Sequence, residues 1–449
     1  MMTRLLLVST LVIVTITGTA IADRPADFGK RWVRAHPYAL TGLLQFGNFD
    51  AEQYRRAISD LAVPWKQEEG LMKSIVASNL PWIGHITARK GPDDKFEQKI
   101  AAWMADYKGC EGFIFNDEPN LSGMPDTGRL VAWFRKHHPD LVAMSNALPF
   151  GDKPWNYAGL PSGGAYDYET YIEDFIRVIK PDIMMVDIYP FQSQGGPANL
   201  FLWNLQVVRE KSLAAGIPYW LWVQAYIVKN RRLPSDSDNR MQLFSALTMG
   251  FTGLAYFTYD GSFTEGLLIR GEKKSVLFDD AVKANRELRN IAGPIRFLTS
   301  TTVRFVKATN GSVVPQGVLA FDKYTHPEPI ITNITVEAPT VPPHQPEDEP
   351  TYLVDAPYHG GLLGHFRDDD GARYFMLSNL LHSLTARAEE REMTFVIHFD
   401  PTVKRVQRVR RSDGEVEQLD VDPENGLTIT LPGGTGDLFR ISPGPFVGL

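Results

Sequence analysis

Short apolar runs alternate with amphipathic stretches across the first 300 residues, and this alternation limits the possible folds more than any other feature. The apolar runs have the length of buried strands, and the stretches between them have the 3.6-residue period of helices. Such a rhythm is typical of βα units, which build a parallel sheet covered by helices. The predicted strands cover residues 40–46, 81–86, 112–115, 142–145, 183–187, 219–224 and 253–256. The predicted helices cover residues 51–61, 95–107, 128–137, 168–179, 200–215, 240–249 and 279–292.

The number of strands favours a closed barrel. Seven runs are clear, and one more strand is expected second in order near residues 62–75, where Val63-Pro64-Trp65 could be its remnant. Eight βα units in about 260 residues have the normal size of a (β/α)8 barrel. The alternative is an open doubly wound sheet, but no glycine-rich phosphate fingerprint follows a predicted strand. We therefore predict an α/β fold with a TIM-like (β/α)8 barrel over residues 23–298.

The pattern changes near residue 300, where short strands separated by turns replace the βα rhythm. This second pattern predicts a C-terminal all-β sandwich domain over residues 299–449. Prolines and acidic residues are concentrated at 325–352, and they predict an irregular insertion in the sandwich. The predicted strands cover residues 303–306, 318–321, 374–379, 393–399, 406–410, 427–431 and 437–441.

The first 22 residues have the pattern of a signal peptide. Arg4 is a positive start, residues 5–18 are apolar, and Ala20 and Ala22 form a small-residue cleavage site. A single membrane anchor is the alternative, which the cleavage site disfavours. No later stretch approaches the ~20 apolar residues of a spanning helix. We expect a secreted or periplasmic protein, cleaved near Ala22, with no membrane span in its mature form.

Composition excludes several other classes of protein. A net charge of −7 does not support binding to nucleic acid. Cys110 is the only cysteine, so no internal disulfide can form. The sequence has neither a His-x-His nor a His-x-x-x-His pair, and we predict no metal site and no cofactor. No Gly-x-Ser-x-Gly motif is present, which disfavours an esterase. The oligomeric state stays open.

Polar and aromatic residues follow the predicted barrel strands, and the active sites of this fold lie at the carboxyl ends of its strands. Aromatic rings stack on the flat faces of pyranose sugars, while amides and carboxylates bind the hydroxyl groups. The combination favours a carbohydrate as substrate. Gln45 and Asn48 also follow a strand. The residues predicted to bind substrate are His85, Asn116, Asp117, Asn146, Tyr189, Gln224, Tyr226, Tyr256 and Asp260.

The strand-four sequence Asn116-Asp117-Glu118-Pro119 resembles the Asn-Glu-Pro and Asp-Glu-Pro motifs of the (β/α)8 glycoside hydrolase superfamily that includes β-galactosidases and cellulases. The resemblance covers residues 38–298, and the C-terminal domain only in outline. It implies hydrolysis of a glycosidic bond, with Glu118 as the general acid/base. The superfamily's nucleophile is a Glu at the end of strand seven, where this chain has Gln224.

The second catalytic group is therefore open. Asp187 or Asp260 could supply a carboxylate, the enzyme could invert, or an acetamido oxygen of the substrate could attack. We predict Asp187 first, because it ends a strand and should point to the same rim as Glu118. A spacing of about 5 Å between the two carboxyls would favour retention, and roughly 6.5–9.5 Å would favour inversion.

Two other functions compete with hydrolysis. A barrel that lacks the nucleophile, as Gln224 suggests, could bind carbohydrate without cleaving it. A polysaccharide lyase on the same fold would need a cation to neutralise a uronate, and the predicted strand ends are poor in Arg and Lys. Trp220 and Trp222 could stack on sugar, but packing in the core is at least as good an interpretation.

Overall fold

A computed structural model describes residues 24–45, 50–150, 157, 166–191, 198–228, 231–261, 265–269, 273–309, 312–325, 327–337 and 360–449. The predicted signal peptide, residues 1–22, and Asn48 lie outside the described residues. Within the described ranges, no helix is both long enough and apolar enough to cross a membrane.

Eight parallel strands form one sheet in the N-terminal half of the chain. They are β1 (Ala39–Leu44), β2 (Val63–Pro64), β3 (Trp82–Ile86), β4 (Cys110–Asp117), β5 (Val142–Ala147), β6 (Ile183–Ile188), β7 (Tyr219–Gln224) and β8 (Gly253–Phe257). The helices are α1 (Phe28–Ala35), α2 (Ala51–Ala57), α3 (Glu69–Ala77), α4 (Asp94–Asp106), α5 (Met124–His137), α6 (Tyr168–Ile179), α7 (Ala198–Ala215), α8 (Asp236–Thr248) and α9 (Phe278–Ala292). Two short strands, β9 (Leu268–Ile269) and β10 (Lys273–Lys274), follow β8.

The strand order is β2-β1-β8-β7-β6-β5-β4-β3, and a parallel bridge between Ala62 and Trp82 joins the β2 end of this sheet to β3. This bridge completes the circle, so the predicted (β/α)8 barrel is confirmed. The predicted remnant strand is also present as β2. It has only two residues, and Pro64 within it lacks a backbone N–H with which to extend the pairing.

The barrel interior is a packed core. Successive side chains of a strand face opposite sides, so alternate residues point inward. In β4, Ile114 packs with the interior residues, whereas Phe113 and Phe115 pack with the helices. Trp220 and Trp222 belong to the interior core, which favours the packing interpretation for both. The interior residues are Leu43, Val63, Ile83, Ile114, Val142, Met144, Ile183, Met185, Trp220, Trp222 and Ala255.

The C-terminal domain has two antiparallel sheets packed over one apolar core, as predicted. The six-stranded sheet has the order β11-β13-β14-β19-β16-β17, and the three-stranded sheet has the order β12-β15-β18. The strands are β11 (Thr299–Lys307), β12 (Ile331–Glu337), β13 (Gly360–Arg367), β14 (Arg373–Asn379), β15 (Met393–Phe399), β16 (Arg405–Val409), β17 (Val416–Asp420), β18 (Leu427–Leu431) and β19 (Gly436–Arg440).

Two predictions for this domain are wrong. Residues 318–321 form no strand and have only an isolated bridge, between Ala320 and Phe305. Part of the expected irregular insertion at 325–352 is the regular strand β12, because Ile331, Ile334 and Val336 are buried while β12 pairs with β15. Residues 326 and 338–352 of the insertion lie outside the described residues.

Helix α8 lies between the two domains, and all thirteen of its residues are buried. Ser235 begins this helix with a capping box, in which its hydroxyl and the Asp238 carboxylate bind each other's backbone N–H. Thr248 at the other end shares a 2.5 Å hydrogen bond with Ser378 of β14. The helix therefore holds the β7 side of the barrel against the sandwich.

Candidate active site

Strand β4 is irregular where it reaches the barrel mouth. Its register with β5 passes from Ile114↔Met144 to Asp117↔Asn146, so β4 contains one extra residue. Asn116 and Glu118 have φ angles of 50° and 49°, which residues with side chains rarely adopt. In a regular strand, Asp117 and its neighbour Glu118 would face opposite sides. The bulge brings both carboxylates into contact with residues of β5 and β6.

The side chain of Asn116 points away from the mouth and holds this bulge. Its Oδ1 accepts a 2.8 Å bond from the Ala88 N–H, and its Nδ2 donates a 2.8 Å bond to Thr127 Oγ1 in α5. The residue is buried and both ends of its amide are occupied. The prediction that Asn116 binds substrate is therefore wrong, because the bulge turns its side chain toward the outer layer.

Asn146 links the acidic residues of the mouth. Its Nδ2 donates to Asp117 Oδ1 at 3.1 Å and to Asp187 Oδ1 at 2.9 Å. Its backbone carbonyl accepts a 3.0 Å bond from the Glu118 N–H. Its Oδ1 is buried and has no hydrogen-bond partner among the described residues. One amide from β5 thus orders carboxylates from β4 and β6.

The carboxyls of Glu118 and Asp187 are hydrogen-bonded to each other. Burial and the neighbouring Asp117 charge raise the pKa of Glu118 to about 7, against the opposing effect of the bond to Asp187. Burial, followed by the charges of Glu118 and Asp117, raises the pKa of Asp187 well above its usual range. Burial also raises the pKa of Asp117, although this residue has the most exposed side chain of the three. The cluster therefore retains a proton at neutral pH.

This direct contact corrects the predicted geometry. Asp187 contacts Glu118 directly, and a hydrogen bond between the carboxyls is shorter than the separation for retention or for inversion. No sugar ring can lie between two groups in hydrogen-bond contact. Within the described ranges, no Lys or Arg forms an ion pair with Asp117, Glu118 or Asp187, so the cluster lacks a neutralising cation.

Three aromatic rings from consecutive strands pack together beside these carboxylates. Tyr189 follows β6, Tyr226 follows β7, and Phe257 ends β8, with ring centroids 5.1–5.4 Å apart. The charges of Asp187 and Glu118 contribute to raising the pKa of both tyrosines, after the larger effect of burial. Tyr226 is also hydrogen-bonded to Arg231. Sequence reasoning missed Arg231, because it lies seven residues beyond the end of its strand.

A second aromatic pair lies on the β2–β3 side. The rings of Trp65 and His85 are stacked, with centroids 3.7 Å apart and planes inclined by 6°. Burial lowers the pKa of His85 to about 4, so its imidazole is neutral at neutral pH. Its Nε2 is buried without a hydrogen-bond partner in the part of the chain that the structure describes. In the sequence, Trp65 stands in the predicted remnant strand, and no motif marks it as a site residue.

Gln224 and Tyr256 do not line the mouth, so the predictions for both are wrong. The Gln224 amide binds the N–H and carbonyl of Phe191 and the carbonyl of Arg232, which leaves none of its side chain for substrate. Tyr256 is fully buried on the helix side of β8, and its hydroxyl donates a 2.7 Å bond to Asn285 in α9. Gln224 is unavailable because backbone groups of two loops bind its amide. Tyr256 faces the helices because successive side chains of a strand face opposite sides.

Asp260 lies at the rim but is engaged elsewhere. Its Oδ2 accepts a 2.6 Å bond from the Gln45 N–H, which ties the loop after β8 to the end of β1. Its charge acts on Tyr54 and Tyr259. In the described parts of the chain, no group of three or more His, Cys, Asp or Glu residues is arranged to hold a metal ion.

No protein-family model matches the sequence, and no curated protein matches it either. Solved structures similar to this chain are glycoside hydrolases. One named simply as a glycoside hydrolase has a TM-score of 0.49 and 10% identity, covering 94% of this chain and 90% of its own. A Cellulomonas fimi endo-β-1,4-mannanase double mutant has a TM-score of 0.40 and 9% identity, covering 92% and 93%.

The catalytic module of a Streptococcus pneumoniae family 98 glycoside hydrolase, solved with the H-disaccharide blood group antigen, has a TM-score of 0.42 and 9% identity, covering 90% and 98%. All three TM-scores lie below 0.5, so the function has to be argued from the geometry of the site.

Proposed function

We propose that this protein is a secreted glycoside hydrolase in which Glu118 protonates the oxygen of the leaving sugar. The observation that carries the proposal is the position of Glu118 at the carboxyl end of β4, where burial and the neighbouring Asp117 charge raise its pKa to about 7. A general acid has to hold its proton near the working pH and then release it in the transition state. A carboxyl that is buried beside two other carboxyls, and that pairs with no cation in the described part of the chain, meets this requirement.

Asp187 acts in this proposal as a positioning residue for Glu118. Its hydrogen bond holds the Glu118 carboxyl, and Asn146 in turn holds Asp187. Glu118 gives its own proton to the leaving sugar, and Asp187 keeps a second proton, which its carboxyl donates in a hydrogen bond to the new Glu118 carboxylate. Asp187 does not attack the sugar from the opposite face, because its contact with Glu118 leaves no space for the ring.

Asp117 is the more exposed acid of the cluster and faces the developing positive charge of the sugar. An oxocarbenium-like transition state is stabilised by a nearby carboxylate. Two routes then complete the reaction with this geometry. In one, water attacks the anomeric carbon and Asp117 accepts its proton. In the other, an acetamido oxygen of the substrate attacks while Asp117 accepts a hydrogen bond from the acetamido N–H, and water then opens the cyclic intermediate and returns a proton to Glu118.

The aromatic residues flank the acids around the ring of strands. The cluster comes from β4 to β6, with Trp65 and His85 on the β2–β3 side. Tyr189, Tyr226 and Phe257 lie on the other side, toward β8. Rings on both sides provide stacking surfaces for successive sugars.

Hydrolysis is tested by Glu118→Gln on a panel of glycans, with products followed by NMR. Turnover should fall by about 10²–10⁴-fold, because the amide has no acidic proton. Glu111→Gln is the matched control, since Glu111 lies at the other end of β4 beside His36 and should tolerate the change. Near-normal turnover in Glu118→Gln excludes Glu118 as the acid. Binding without cleavage by the unaltered protein would instead support a non-catalytic carbohydrate-binding barrel.

The same NMR spectra distinguish the two routes. The acetamido route requires an N-acetylated sugar and retains the anomeric configuration. Direct attack by water inverts the configuration and does not need that substituent.

Secretion rests on residues 1–22 alone. Mass spectrometry of the exported protein should give a chain that begins at Asp23, because Ala22 ends the predicted cleavage site. A chain that keeps its first 22 residues would contradict this part of the proposal.

One observation favours a lyase as the second candidate. Tyr226 and Arg231 are hydrogen-bonded beside the carboxylates, and a tyrosine with an arginine could serve as base and neutraliser for a uronate. A lyase releases an unsaturated product that absorbs ultraviolet light, whereas a hydrolase does not. Absorbance during digestion of a uronate polymer separates the two functions.

A further inference from the structure

The β-sandwich contains a cleft of about 590 Å³ in which positive charges gather. Arg367 ends β13 and Arg373 begins β14, and the two lie opposite each other in the antiparallel pair. Lys404 and Arg405 enter the same cleft at the start of β16. The fold therefore brings four cations from three strand ends to one edge of the domain.

Only two of these four cations are neutralised. Arg367 binds both oxygens of Glu328, at 3.0 and 3.1 Å, and Arg405 binds Asp420 at 2.7 Å. Among the residues that the structure describes, Arg373 and Lys404 form no ion pair with an acid, and none of those that line the cleft is Asp or Glu. The whole chain has a net charge of −7, so this cleft reverses the prevailing sign.

Like charges gathered at one site repel each other and raise the free energy of the empty cleft. A bound anion would remove this repulsion. A guanidinium offers two parallel N–H donors that fit a carboxylate or a sulfate, and a lysine adds a compact charge. The described residues that line the cleft include no aromatic ring, and their charged side chains are suited to recognise an anionic group.

We propose that this cleft binds the carboxylate or sulfate groups of an acidic carbohydrate, with Arg373 and Lys404 as the main contacts. The carbohydrate nature of the ligand rests on the proposed function of the barrel. The anionic character rests on the cleft itself. Its volume lies within the range of small-ligand sites, which is about 300–1,000 Å³.

The test is calorimetric titration of the full-length protein with three oligosaccharides. They are an oligogalacturonate as the carboxylate probe, a sulfated dextran oligosaccharide as the sulfate probe, and neutral dextran. One or both acidic probes should bind, with affinity that falls as salt is raised, and neutral dextran should not bind. The acidic probe that binds more tightly identifies the anionic group.

Two double variants with the same change in charge locate the site. Arg373→Ala with Lys404→Ala removes the unpaired cations, and affinity for the acidic probe should fall by about tenfold or more. Lys307→Ala with Lys323→Ala removes two exposed cations elsewhere in the domain, and affinity should change less than about twofold.

Equal losses in the two double variants, equal binding of neutral dextran, or no binding of either acidic probe would overturn the proposal. Calorimetry measures binding and not turnover. Anion binding at the cleft can therefore be absent even when Glu118→Gln abolishes hydrolysis at the barrel. The reverse outcome, anion binding without hydrolysis, would count only against the proposed function of the barrel.

Discussion

Two regions of the molecule contain buried acids whose pKa values shift in opposite directions. At the barrel mouth, burial and mutual repulsion raise the pKa values of Glu118 and Asp187. In the seam between the domains, burial also acts to raise the pKa of Asp238. There the charge of Arg232 and the bond from His382 prevail and lower it to about 2. The pKa values shift in opposite directions because Glu118 and Asp187 lie beside other carboxylates, whereas Asp238 lies beside Arg232 and His382.

The seam is built as a paired network. Asp238 binds Arg232 and receives a 2.6 Å bond from His382 of the sandwich. Asp236 binds Arg240 at 2.9 Å and the Ala388 N–H at 2.9 Å. Removing one member of such a network leaves an uncompensated buried charge. The seam therefore uses its acids for stability, whereas in the proposed function the mouth keeps a proton for transfer to the substrate.

Glu118→Gln should separate activity from stability most clearly. We expect a loss of turnover of about 10²–10⁴-fold. The free energy of unfolding should stay constant or rise by about 1 kcal/mol, because one source of repulsion is removed. Urea denaturation alongside the glycan assay measures both quantities. A strongly destabilised variant would mean that the mouth is a structural network like the seam.

Asp238→Asn should mainly lower the free energy of unfolding, in contrast to Glu118→Gln. This change removes the negative charge that Arg232 pairs with and leaves one acceptor oxygen where Arg232 and His382 each bind one, so the free energy of unfolding should fall by about 3–5 kcal/mol. Asp279→Asn, at an exposed pair with Lys274, is the control and should leave stability unchanged. If both variants unfold at the same urea concentration, the proposed role of the seam is incorrect.

Gln224→Glu tests whether the strand-seven position still belongs to the active site. A carboxylate there would face the carbonyls of Phe191 and Arg232 in place of two N–H bonds, at a cost of about 1–3 kcal/mol. Turnover should fall as well, because the loops after β6 and β7 carry Tyr189 and Tyr226. Gln418→Glu, on an exposed strand, should have no effect. A rise in turnover would show that a nucleophile had been restored.

The pH dependence is the smallest of the expected effects. The folded pKa of Glu118 is raised to about 7 from an ordinary value of 4.5. Turnover should therefore fall about tenfold per pH unit above neutrality, as the acid loses its proton. The same shift costs stability as pH rises from about 4.5 to 7, and Glu118→Gln should remove that cost. A turnover that stays constant up to pH 9 would contradict this assignment.

The stability that Asp238 contributes should depend on pH only in the acidic range. Its folded pKa is depressed from 3.8 to about 2, so its contribution to stability is complete above about pH 4. That contribution is lost as pH falls through about 2. The two regions can therefore be titrated separately in one series of denaturation curves.

The fold was largely predictable, and the exceptions have identifiable causes. Apolar runs of strand length located the barrel strands, and even the two-residue β2 was marked by its Val-Pro sequence. Strand β13 was missed because it contains Gly360, Gly361 and Gly364, and glycine weakens the signal of a strand. A Cβ at Gly364 would lie 2.0 Å from the Thr248 carbonyl, so this glycine permits close approach of β13 to α8.

The sequence by itself determined that acids and aromatic residues follow the barrel strands, because chain order and strand periodicity are local properties. Only the tertiary structure decided which of these side chains meet. The bulge in β4 turns the Asn116 side chain outward and brings Asp117 to the mouth. Backbone groups of two loops bind the Gln224 side chain. The contact between Glu118 and Asp187 depends on the register of three strands, which is set by packing across the whole barrel.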